Sequence, residues 1–508
     1  MFTRQNSVGL FGIDAYMVGV EADISSGLPA FDIVGLPDAA VKESRDRVRA
    51  AIKNCGFTFP LGRITVNLSP ADVKKEGSLY DLPSLIALLV ASKQLDGDFN
   101  DFAFIGELSL DGQVRGINGL LAMTILAAKK GVKKFFVPQV NASEAAVVDG
   151  IEVYPVHNVP QLLAHLTGRE NIKKQDKPDI SQGKYEHTPD FCEVKGQYVA
   201  KKALEVAAAG GHNILLVGPP GSGKSMLAKR LPSILPQMTF EESIETTKIH
   251  SIAGTLSPDM PLITTRPFRS PHHTVSSAGL SGGGAIPRPG EISLAHNGVL
   301  FLDELPEFTR MAMEALRAPL EDGQVTISRA SGRLTYPCSF MLVAAMNPCP
   351  CGYYGHPTKP CSCNANTVAR YLGRISGPML DRLDLHIEVP PVNYEELSAT
   401  SKEETSETIR KRVNAARKIQ QDRYKGFGFA CNARLTPAML QKFCVMTPAA
   451  NSLLENAFNK LGLSARSYDR LLKVARTLAD LNDTNLIDAQ HIAAAIKFRS
   501  LDRKYWGQ

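Results

Sequence analysis

Long apolar runs are missing from this chain of 508 residues. The best of them, Leu85 to Ala91, falls far short of the roughly 20 residues that a membrane-spanning helix needs. We also expect no export signal, because Asp14 interrupts the short apolar stretch that follows Arg4. These absences argue against an integral membrane protein and lead us to expect a cytoplasmic protein with no membrane partner.

A disulfide framework and internal repeats are not indicated either. Nine cysteines in a chain of this length, without an export signal, indicate reduced thiols or metal ligands. The formal net charge of +6 is mild, and by itself it favours nucleic acid as a partner only weakly. What the chain does have is length. It is too long for one hydrophobic core, which predicts two or three domains.

The order of apolar segments divides the chain into four parts. Residues 1–168 alternate short strands, such as Arg63 to Leu68, with helices. A linker with few large aliphatic residues follows at 169–190, and residues 191–392 again alternate strands with helices. That second alternation is typical of a parallel, doubly wound α/β sheet. Residues 393–508 have helical periodicity and few strand signals.

A glycine loop with the P-loop pattern lies between an apolar strand, Asn213 to Val217, and a helix. Its residues are Gly218, Pro219, Pro220, Gly221, Ser222, Gly223, Lys224 and Ser225. Backbone N–H groups of such a loop surround phosphate oxygens, and the following helix adds its partial positive charge. We expect Lys224 to reach the β- and γ-phosphates and Ser225 to ligate magnesium, which predicts Mg²⁺-ATP as the ligand.

Two further apolar strands end in polar residues. The strand Val299 to Leu302 is followed by Asp303 and Glu304, and the strand Met341 to Ala345 leads to Asn347. At the carboxyl edge of a parallel sheet, these side chains are expected beside the P-loop. Asp303 would then hold magnesium through water, and Glu304 would polarise the attacking water. Asn347 would orient that water; the alternative role is a plain strand cap.

Longer stretches accompany these motifs. They are Gly12-Ile-Asp-Ala-Tyr, Gly27-Leu-Pro-Ala-Phe-Asp-Ile-Val-Gly-Leu-Pro, Arg269-Ser-Pro-His-His, Asn347-Pro-Cys-Pro-Cys-Gly and Leu380-Asp-Arg-Leu-Asp. With the P-loop, they resemble the AAA+ ATPases, and most closely the magnesium-chelatase-like branch that contains the bacterial YifB and ComM proteins. The resemblance covers nearly the whole chain. It implies a Lon-protease-like α+β domain, a AAA+ core and a helical C-terminal lid, assembled as a homo-hexameric ring.

The resemblance also assigns roles to single residues. It makes Asn347 the first sensor, Arg382 the arginine finger that completes a neighbouring subunit's site, and Arg466 the second sensor on the lid. An arginine suits both of the last two roles, because its permanent charge stabilises charge that develops on the γ-phosphoryl oxygens. A finger that acts on a neighbour requires a ring.

In the N-terminal domain, the resemblance places Leu121 where the Lon proteases carry their catalytic lysine. Leu79 stands at the position of the nucleophile, with Ser78 beside it. Without the lysine there is no group to activate a serine. We therefore expect this domain to serve subunit assembly or substrate binding rather than proteolysis.

Basic residues occur in two segments near the ATPase motifs. Arg266 and Arg269 lie in a stretch, residues 260–290, that contains no acidic residue. Downstream, Arg329 and Arg333 flank the turn of a predicted hairpin. Such elements in a ring ATPase are suited to gripping a phosphate backbone, which predicts DNA, single-stranded or branched, as the partner. The alternative is that Arg266 and Arg269 contact a neighbouring subunit.

The resemblance to ComM proteins, which act as DNA helicases, implies an ATP-driven motor for branch migration. Such a motor would promote integration of DNA by recombination during natural transformation. The alternative function is a chelatase-like remodeller or a regulatory ATPase that acts on a partner protein. DNA-stimulated ATPase activity would separate the two.

Four cysteines are grouped in two C-x-C pairs, Cys349 with Cys351 and Cys361 with Cys363. Four thiolates this close in the chain could close tetrahedrally on Zn²⁺. The C-x-C spacing is tighter than the usual C-x₂-C spacing of zinc sites. The alternative is a reduced loop without metal.

Overall fold

The computed structural model describes residues 2–178, 189–284, 287–329, 332–392, 403–461 and 463–506. Part of the predicted linker, 179–188, and the first ten residues of the predicted C-terminal part lie outside the described residues. The chain divides into two compact units. Unit 1 comprises Met1–Gly183, Phe240–Thr264 and Ser328–Tyr336, and unit 2 comprises Lys184–Thr239, Thr265–Ile327 and Pro337–Gln508.

Strands occur in both units. In chain order they are β1 (Phe2–Phe11), β2 (Asp14–Ser25), β3 (Ala30–Val34), β4 (Arg63–Ser69), β5 (Phe102–Phe104), β6 (Glu107–Leu108), β7 (Val114–Arg115), β8 (Lys134–Pro138), β9 (Glu152–Val156), β10 (Ile214–Val217), β11 (Phe268–Arg269), β12 (Gly282–Gly283), β13 (Arg288–Pro289), β14 (Val299–Leu302), β15 (Gln324–Arg329), β16 (Gly332–Pro337), β17 (Met341–Met346) and β18 (Leu385–Glu388).

The two longest α-helices, Ser406–Arg423 and Ala465–Leu481, lie in the C-terminal part of the chain. In chain order the α-helices are α1 (Ala39–Asn54), α2 (Asp81–Ala91), α3 (Leu120–Lys129), α4 (Ala142–Ala145), α5 (Val159–Leu166), α6 (Tyr198–Gly210), α7 (Lys224–Arg230), α8 (Phe240–Ala253), α9 (Ser277–Ser281), α10 (Glu291–Leu294), α11 (Arg310–Ala315), α12 (Arg317–Asp322), α13 (Ala365–Leu372), α14 (Gly377–Leu380), α15 (Ser406–Arg423), α16 (Pro437–Phe443), α17 (Pro448–Leu461), α18 (Ala465–Leu481), α19 (Ala489–Lys497) and α20 (Leu501–Trp506).

Unit 1 is built on a mixed sheet with the strand order β3-β4-β2-β1-β5-β8-β9. Strands β1 and β2 form an antiparallel hairpin, whose turn holds Gly12 at a φ of +64°. Strand β4 alternates buried with partly exposed residues, so only one of its faces packs on the core. Helix α2 is buried almost all round and packs in this core with Phe104 and Phe136.

Two segments from later in the chain complete unit 1. Residues 240–264 and 328–336 lie within the range predicted as the ATPase core, yet they group with the N-terminal residues. In α8, the Ser251 carbonyl accepts from the Gly119 N–H at 3.2 Å, and the Ser251 hydroxyl donates to Glu144. Glu144 also accepts from the Leu121 N–H at 2.9 Å, and burial raises the pKa of its carboxyl. Helix α8 is therefore hydrogen-bonded to the start of α3, both directly and through Glu144.

Unit 2 contains the predicted parallel sheet, which is confirmed with the strand order β11-β14-β17-β10-β18. Strands β10, β14 and β17 are buried at every position, as expected of a sheet covered on both faces. In register, Val217 of β10 lies beside Met346 of β17, while Leu302 of β14 lies beside Ala344. The carboxyl ends of these three strands therefore share one edge.

The C-terminal residues of unit 2 are helical, as predicted, and their apolar faces join the core of the sheet. A buried histidine ties α18 to the start of β10. His212 Nε2 lies 2.7 Å from the hydroxyl of Thr477, and its Nδ1 lies 3.3 Å from Asp384. Bonding to His212 holds the pKa of Asp384 well below its usual range although burial opposes this. Within the described residues, no helix is long and apolar enough to cross a membrane.

Candidate functional site

The glycine loop joins β10 to α7, as predicted. Gly221 and Gly223 have φ angles of +77° and +90°, which favour glycine because it has no Cβ. A Cβ at Gly218 would lie 2.2 Å from the carbonyl oxygen of Val389, so this position also requires glycine. The Ser222 hydroxyl is buried, and within the described residues it has no hydrogen-bond partner. An unsatisfied hydroxyl in a tight glycine loop fits a binding site for phosphate oxygens.

Lys224 is the first residue of α7, and its side chain folds back over the loop. Its Nζ donates to the carbonyl oxygens of Gly218 and Pro219 at 2.7 and 2.9 Å, and lies 3.2 Å from Oδ1 of Asn347. Removal of water from around the ammonium lowers the pKa of Lys224 to about 8, although Asp303 and Glu304 oppose the shift. The lysine is thus desolvated and held at the mouth of the loop.

Two oxygen ligands for a cation lie beside the lysine. The Ser225 hydroxyl donates to Oδ2 of Asp303 at 2.6 Å, and Oδ1 of Asp303 accepts from the backbone N–H of Glu304 at 2.9 Å. Hydroxyl and carboxylate oxygens are the donors that Mg²⁺ prefers. The structure therefore brings the predicted magnesium ligands Ser225 and Asp303 together, and they fit the ion that was expected.

The predicted base and first sensor lie at the same edge of the sheet. Glu304 follows β14 with an exposed carboxylate and a φ of +53°, and its Oε2 lies 3.4 Å from Nδ1 of His273. Asn347 follows β17 and contacts Lys224. The sequence motifs are therefore brought together by three neighbouring strands, whereas His273 was not foreseen as a contact of the base.

An apolar cavity adjoins the loop, and sequence reasoning missed it. It has a volume of about 400 Å³, and Tyr198, Val199, Ile387, Phe498 and Leu501 are among the residues that line it. Another lining residue, Gln197, donates to the carbonyl oxygens of Ser222 and Pro390 at 3.3 and 2.6 Å, which ties the cavity to the loop. The size and the mainly apolar lining, which also includes His386, Glu388 and Lys497, suit a nucleobase. Its residues come from three distant parts of the chain, so no local motif marks it.

Arg382 and Arg466 line a different cavity, of about 420 Å³, that includes no residue of the glycine loop. Arg382 pairs with Glu321, and Arg466 lies 3.4 Å from Asp381. The two predicted arginines thus line one cavity, and none of the residues that line it belongs to the P-loop.

The four cysteines of the predicted metal site converge. All four sulfur atoms lie within 4.8 Å of one another. The Sγ of Cys349 lies 3.3 Å from Cys351 and 3.7 Å from Cys361, and the last two are 3.5 Å apart. Thiolates bound tetrahedrally at the usual Zn–S length of about 2.3 Å would be separated by nearly these distances. The site fits zinc.

The cysteine loop also touches the P-loop. A Cβ at Gly352 would lie 2.5 Å from Cδ of Pro220, so the two loops are in close contact. Cys349 itself stands two residues after Asn347. His356 lies between the two cysteine pairs in the sequence, but its Nδ1 accepts from the backbone N–H groups of Thr358 and Lys359 and it is not part of the cysteine group.

Two of the four basic residues predicted to face DNA are engaged within the protein. Arg266 donates to the carbonyl oxygens of Pro236 and Asn297 at 2.6 and 2.7 Å. Arg269 forms a bidentate pair with Glu291, at 2.6 and 2.7 Å. Glu291 stands one residue beyond the acid-free stretch, so the charge of Arg269 is paired within the chain although the stretch itself contains no carboxylate.

The other two basic residues belong to the predicted hairpin, which is confirmed as β15 and β16. Arg333 is exposed on β16. Arg329 ends β15, and its side chain, like residues 330–331 at the tip, lies outside the described part of the chain.

Family descriptions match most of the chain. "Magnesium chelatase, subunit ChlI" matches residues 190–397, and "Subunit ChlI of Mg-chelatase" matches residues 20–141. "Magnesium chelatase, subunit ChlI C-terminal" matches residues 403–499. The matched regions include the glycine loop, both acidic residues, Asn347 and both predicted arginines.

Individual proteins are similar over almost the full length. The uncharacterized protein YifB of Escherichia coli K12 is 44% identical over 495 residues, which cover 97% of this chain and 96% of that protein. The competence protein ComM of Haemophilus influenzae is 45% identical over 503 residues, with the same coverage of both chains. The magnesium-chelatase 67 kDa subunit of Chlorobaculum parvum is 29% identical over 164 residues, 31% of this chain and 23% of that protein.

Proposed function

The chain belongs to the YifB and ComM family of magnesium-chelatase-like AAA+ ATPases, and from this premise we propose that it is an ATP-driven DNA motor. The observation that carries the ATPase part is the convergence of Lys224, Ser225, Asp303, Glu304 and Asn347 at one sheet edge. The DNA part is supported by the similarity to a protein named for competence. The proposed task is branch migration that integrates incoming DNA during natural transformation.

Hydrolysis uses the residues at this edge in distinct roles. Ser225 and Asp303 would hold Mg²⁺, which would supply positive charge next to the β- and γ-phosphates. Lys224 exchanges its hydrogen bonds to the Gly218 and Pro219 carbonyl oxygens for hydrogen bonds to those phosphates. The new bonds are stronger because both the donor and the acceptor are charged. Glu304 polarises the attacking water, and Asn347 orients it. The apolar cavity beside Gln197 receives the adenine.

Arg382 completes the site of a neighbouring subunit in this proposal, and Arg466 acts as the second sensor on the lid. Arg382 lines a cavity that includes no P-loop residue, which supports a partner other than the ATP of its own chain. Both guanidinium groups stabilise charge that develops on a γ-phosphoryl group. Sharing each ATP site between two chains requires a closed ring, for which we propose a homo-hexamer.

The cysteine cluster holds a structural Zn²⁺ in this proposal. Two observations support it. All four sulfur atoms lie within 4.8 Å of one another, and the cysteine loop contacts the P-loop where Gly352 meets Pro220. A tetrathiolate site is closed and has no open position for catalysis. Zinc would therefore brace the loop that follows Asn347 against the P-loop and keep the first sensor in place.

We retain the domain boundaries of the sequence prediction as part of the proposal: a Lon-protease-like domain at 1–168, a linker at 169–190, a AAA+ core at 191–392 and a lid at 393–508. The N-terminal domain is taken to be inactive. Leu121, at the lysine position, is fully buried in α3, and the Ser78 hydroxyl donates to Glu107 rather than to a base.

The hairpin is the proposed DNA contact. Arg333 is exposed on β16, so its charge is suited to meet a phosphate backbone. Arg329 is proposed as the second contact because the sequence places it at the end of the opposite strand of the hairpin. Arg266 and Arg269 form internal bonds, so we assign them to fixing the segment that contains them rather than to contacting DNA.

ATPase rates with and without forked DNA test the proposal. We expect several-fold stimulation by the fork in the wild type, and in Glu304→Gln a turnover lower by about 10²-fold or more with or without DNA. A remodeller of a partner protein, which the partial similarity to a magnesium-chelatase subunit favours, would hydrolyse ATP at the same rate in both conditions. That outcome would replace the DNA motor with the remodeller.

A further inference from the structure

The segment that carries Arg382 is tied to the parallel sheet through the side chain of Asn213. Asn213 stands directly before β10, and its Nδ2 donates to the carbonyl oxygen of Arg382 at 2.9 Å. Its Oδ1 accepts from the backbone N–H of Leu342 in β17 at 2.8 Å. Because an amide has donors at one end and an acceptor at the other, only one orientation of the side chain makes both bonds. Asn213 therefore joins the backbone of Arg382 to β17.

Backbone hydrogen bonds fix the same segment to β10. The carbonyl oxygen of Asn213 accepts from the N–H groups of Asp384 and Leu385 at 2.8 and 3.1 Å. The N–H of Asn213 donates to Oδ2 of Asp384 at 3.2 Å. Since Asp384 follows Arg382 closely in the chain, the backbone position of Arg382 is set by β10 and β17 together.

The guanidinium of Arg382, by contrast, is bonded to groups that a phosphate can replace. It donates to the carbonyl oxygens of Pro378 and Arg317 at 2.6 and 3.3 Å, and it pairs with Glu321. The Glu321 side chain is 60% exposed, so water competes for its carboxylate and the pair is weak. A fixed backbone with a replaceable side-chain partner suits a residue that reaches a ligand from a set position.

Asn213 and Arg382 lie at the edge of the sheet opposite to the glycine loop. Asn213 precedes β10 and Arg382 precedes β18, which pairs with β10 in parallel, whereas the glycine loop follows β10. The four residues of β10, at about 3.3 Å each, separate the two edges by roughly 13 Å. A change in the side chain of Asn213 therefore acts on Arg382 without direct contact with the P-loop of the same chain.

We propose that Asn213 is a positioning residue for the arginine finger. It fixes the backbone of Arg382 so that the guanidinium reaches the γ-phosphoryl group of ATP bound by the neighbouring subunit. The inference rests on the proposed function, in which Arg382 acts between subunits. Both ends of the Asn213 amide are engaged within the chain, so its effect passes through Arg382 and not through ATP. Catalysis is sensitive to such placement, since a displacement of about 1 Å can cost about 10²-fold in rate.

Steady-state ATPase assays of Asn213→Ala test the role. We expect kcat to fall about 10- to 100-fold, with little change in KM for ATP, whereas Arg382→Ala should lose about 10³-fold. Asn213→Asp should fall as far as Asn213→Ala, because an ionised carboxylate still accepts from the Leu342 N–H but cannot donate to the Arg382 carbonyl oxygen. Asn213→Ala combined with Arg382→Ala should be no slower than Arg382→Ala alone, since both changes remove the same interaction.

Ser339→Ala is the matched control. Ser339 stands just before β17 at the same edge of the sheet, and its hydroxyl accepts from Arg434 at 3.0 Å. The variant removes one side-chain hydrogen bond at this edge and leaves the bonds of Arg382 intact, so kcat should stay at the wild-type value.

Mixed rings separate a misplaced finger from a damaged ATP site. Lys224→Ala subunits have an intact finger but no working site, so they should restore activity to Asn213→Ala subunits. Arg382→Ala subunits have an intact site but no finger, so they should restore none. Damage to the P-loop of the variant's own chain would give the reverse pattern, and a variant that does not fold would be rescued by neither.

Wild-type kcat in Asn213→Ala, or rescue by Arg382→Ala subunits and not by Lys224→Ala subunits, would overturn the positioning role. Rescue of Arg382→Ala but not of Asn213→Ala by Lys224→Ala subunits would also overturn it, and would leave the shared site standing. If Lys224→Ala subunits rescue neither variant, the shared site of the proposed function is wrong and the inference falls with it.

Discussion

Raising the pH from 7 to 9 should weaken ATP binding about 10-fold, because Lys224 loses its proton over this range. Desolvation beside the P-loop lowers the pKa of the Lys224 ammonium to about 8 in the free protein. Phosphate oxygens favour the charged form, so bound nucleotide returns the pKa towards the ordinary value of a lysine. ATP binding therefore takes up a proton, and the affinity for ATP falls as the pH rises above the pKa of Lys224 in the free protein.

The size of the effect follows from the same two pKa values. With a free pKa of about 8, roughly a tenth of the lysines are neutral at pH 7, half at pH 8 and nine tenths at pH 9. With a bound pKa near 10.4, almost all remain charged throughout. Binding should therefore take up about half a proton per site at pH 8 and about 0.9 at pH 9.

The assay is calorimetric titration with Mg²⁺ and a non-hydrolysable ATP analogue, in buffers that differ in ionisation enthalpy. The heat difference between buffers gives the protons taken up at each pH. Lys224→Arg is the matched control, since a guanidinium keeps its charge at pH 9 and should show neither the uptake nor the loss of affinity. Equal affinities at pH 7 and pH 9 in the wild type, without proton uptake, would refute the desolvated lysine.

Further predictions concern hydrolysis, the shared site and the metal. Glu304→Gln should bind ATP normally but lose about 10²- to 10⁴-fold in turnover in a steady-state ATPase assay. Near wild-type turnover would mean that another group is the base. Arg382→Ala should lower hydrolysis by about 10³-fold with little change in nucleotide affinity. Mixing it with Lys224→Ala subunits should rescue some activity, and no rescue at any ratio would argue against a site shared between subunits. Elemental analysis should find about one zinc per chain, as for a closed tetrathiolate site, and none after Cys349→Ser with Cys361→Ser. A metal-free wild type that folds and hydrolyses ATP would dismiss the zinc site.

The ATPase half of the site could be predicted from sequence because its geometry is local. A strand, a glycine loop and a helix lie in one continuous segment, and Asp303 and Asn347 each follow an apolar strand directly. Neighbouring parallel strands end at one edge, so the three motifs had to converge once the sheet formed. The strand predicted at Arg63 to Leu68 is confirmed for a similar reason, since local alternation of apolar and polar residues predicts a strand that is buried on one face.

What the sequence could not predict depends on contacts between distant segments. The apolar cavity combines Tyr198, Ile387 and Phe498, which share no spacing or motif. The prediction that Arg269 contacts DNA considered only the charges of residues 260–290, and its ion-pair partner Glu291 lies just outside that stretch. Helix α8 accepts a hydrogen bond from the Gly119 N–H in unit 1, and no periodicity in the sequence predicts this contact. In each case the decisive partner is set by tertiary packing.

Strand separation of a labelled forked DNA tests the central claim most directly. The wild type should separate the strands only when ATP is hydrolysed, and Glu304→Gln should not. Arg329→Ala with Arg333→Ala should bind DNA more weakly, with a salt slope that is flatter by about 2, because each arginine neutralises one phosphate. Arg63→Ala, which removes an exposed arginine at the start of β4, should change neither. A preparation that hydrolyses ATP yet never separates the strands would contradict the DNA motor.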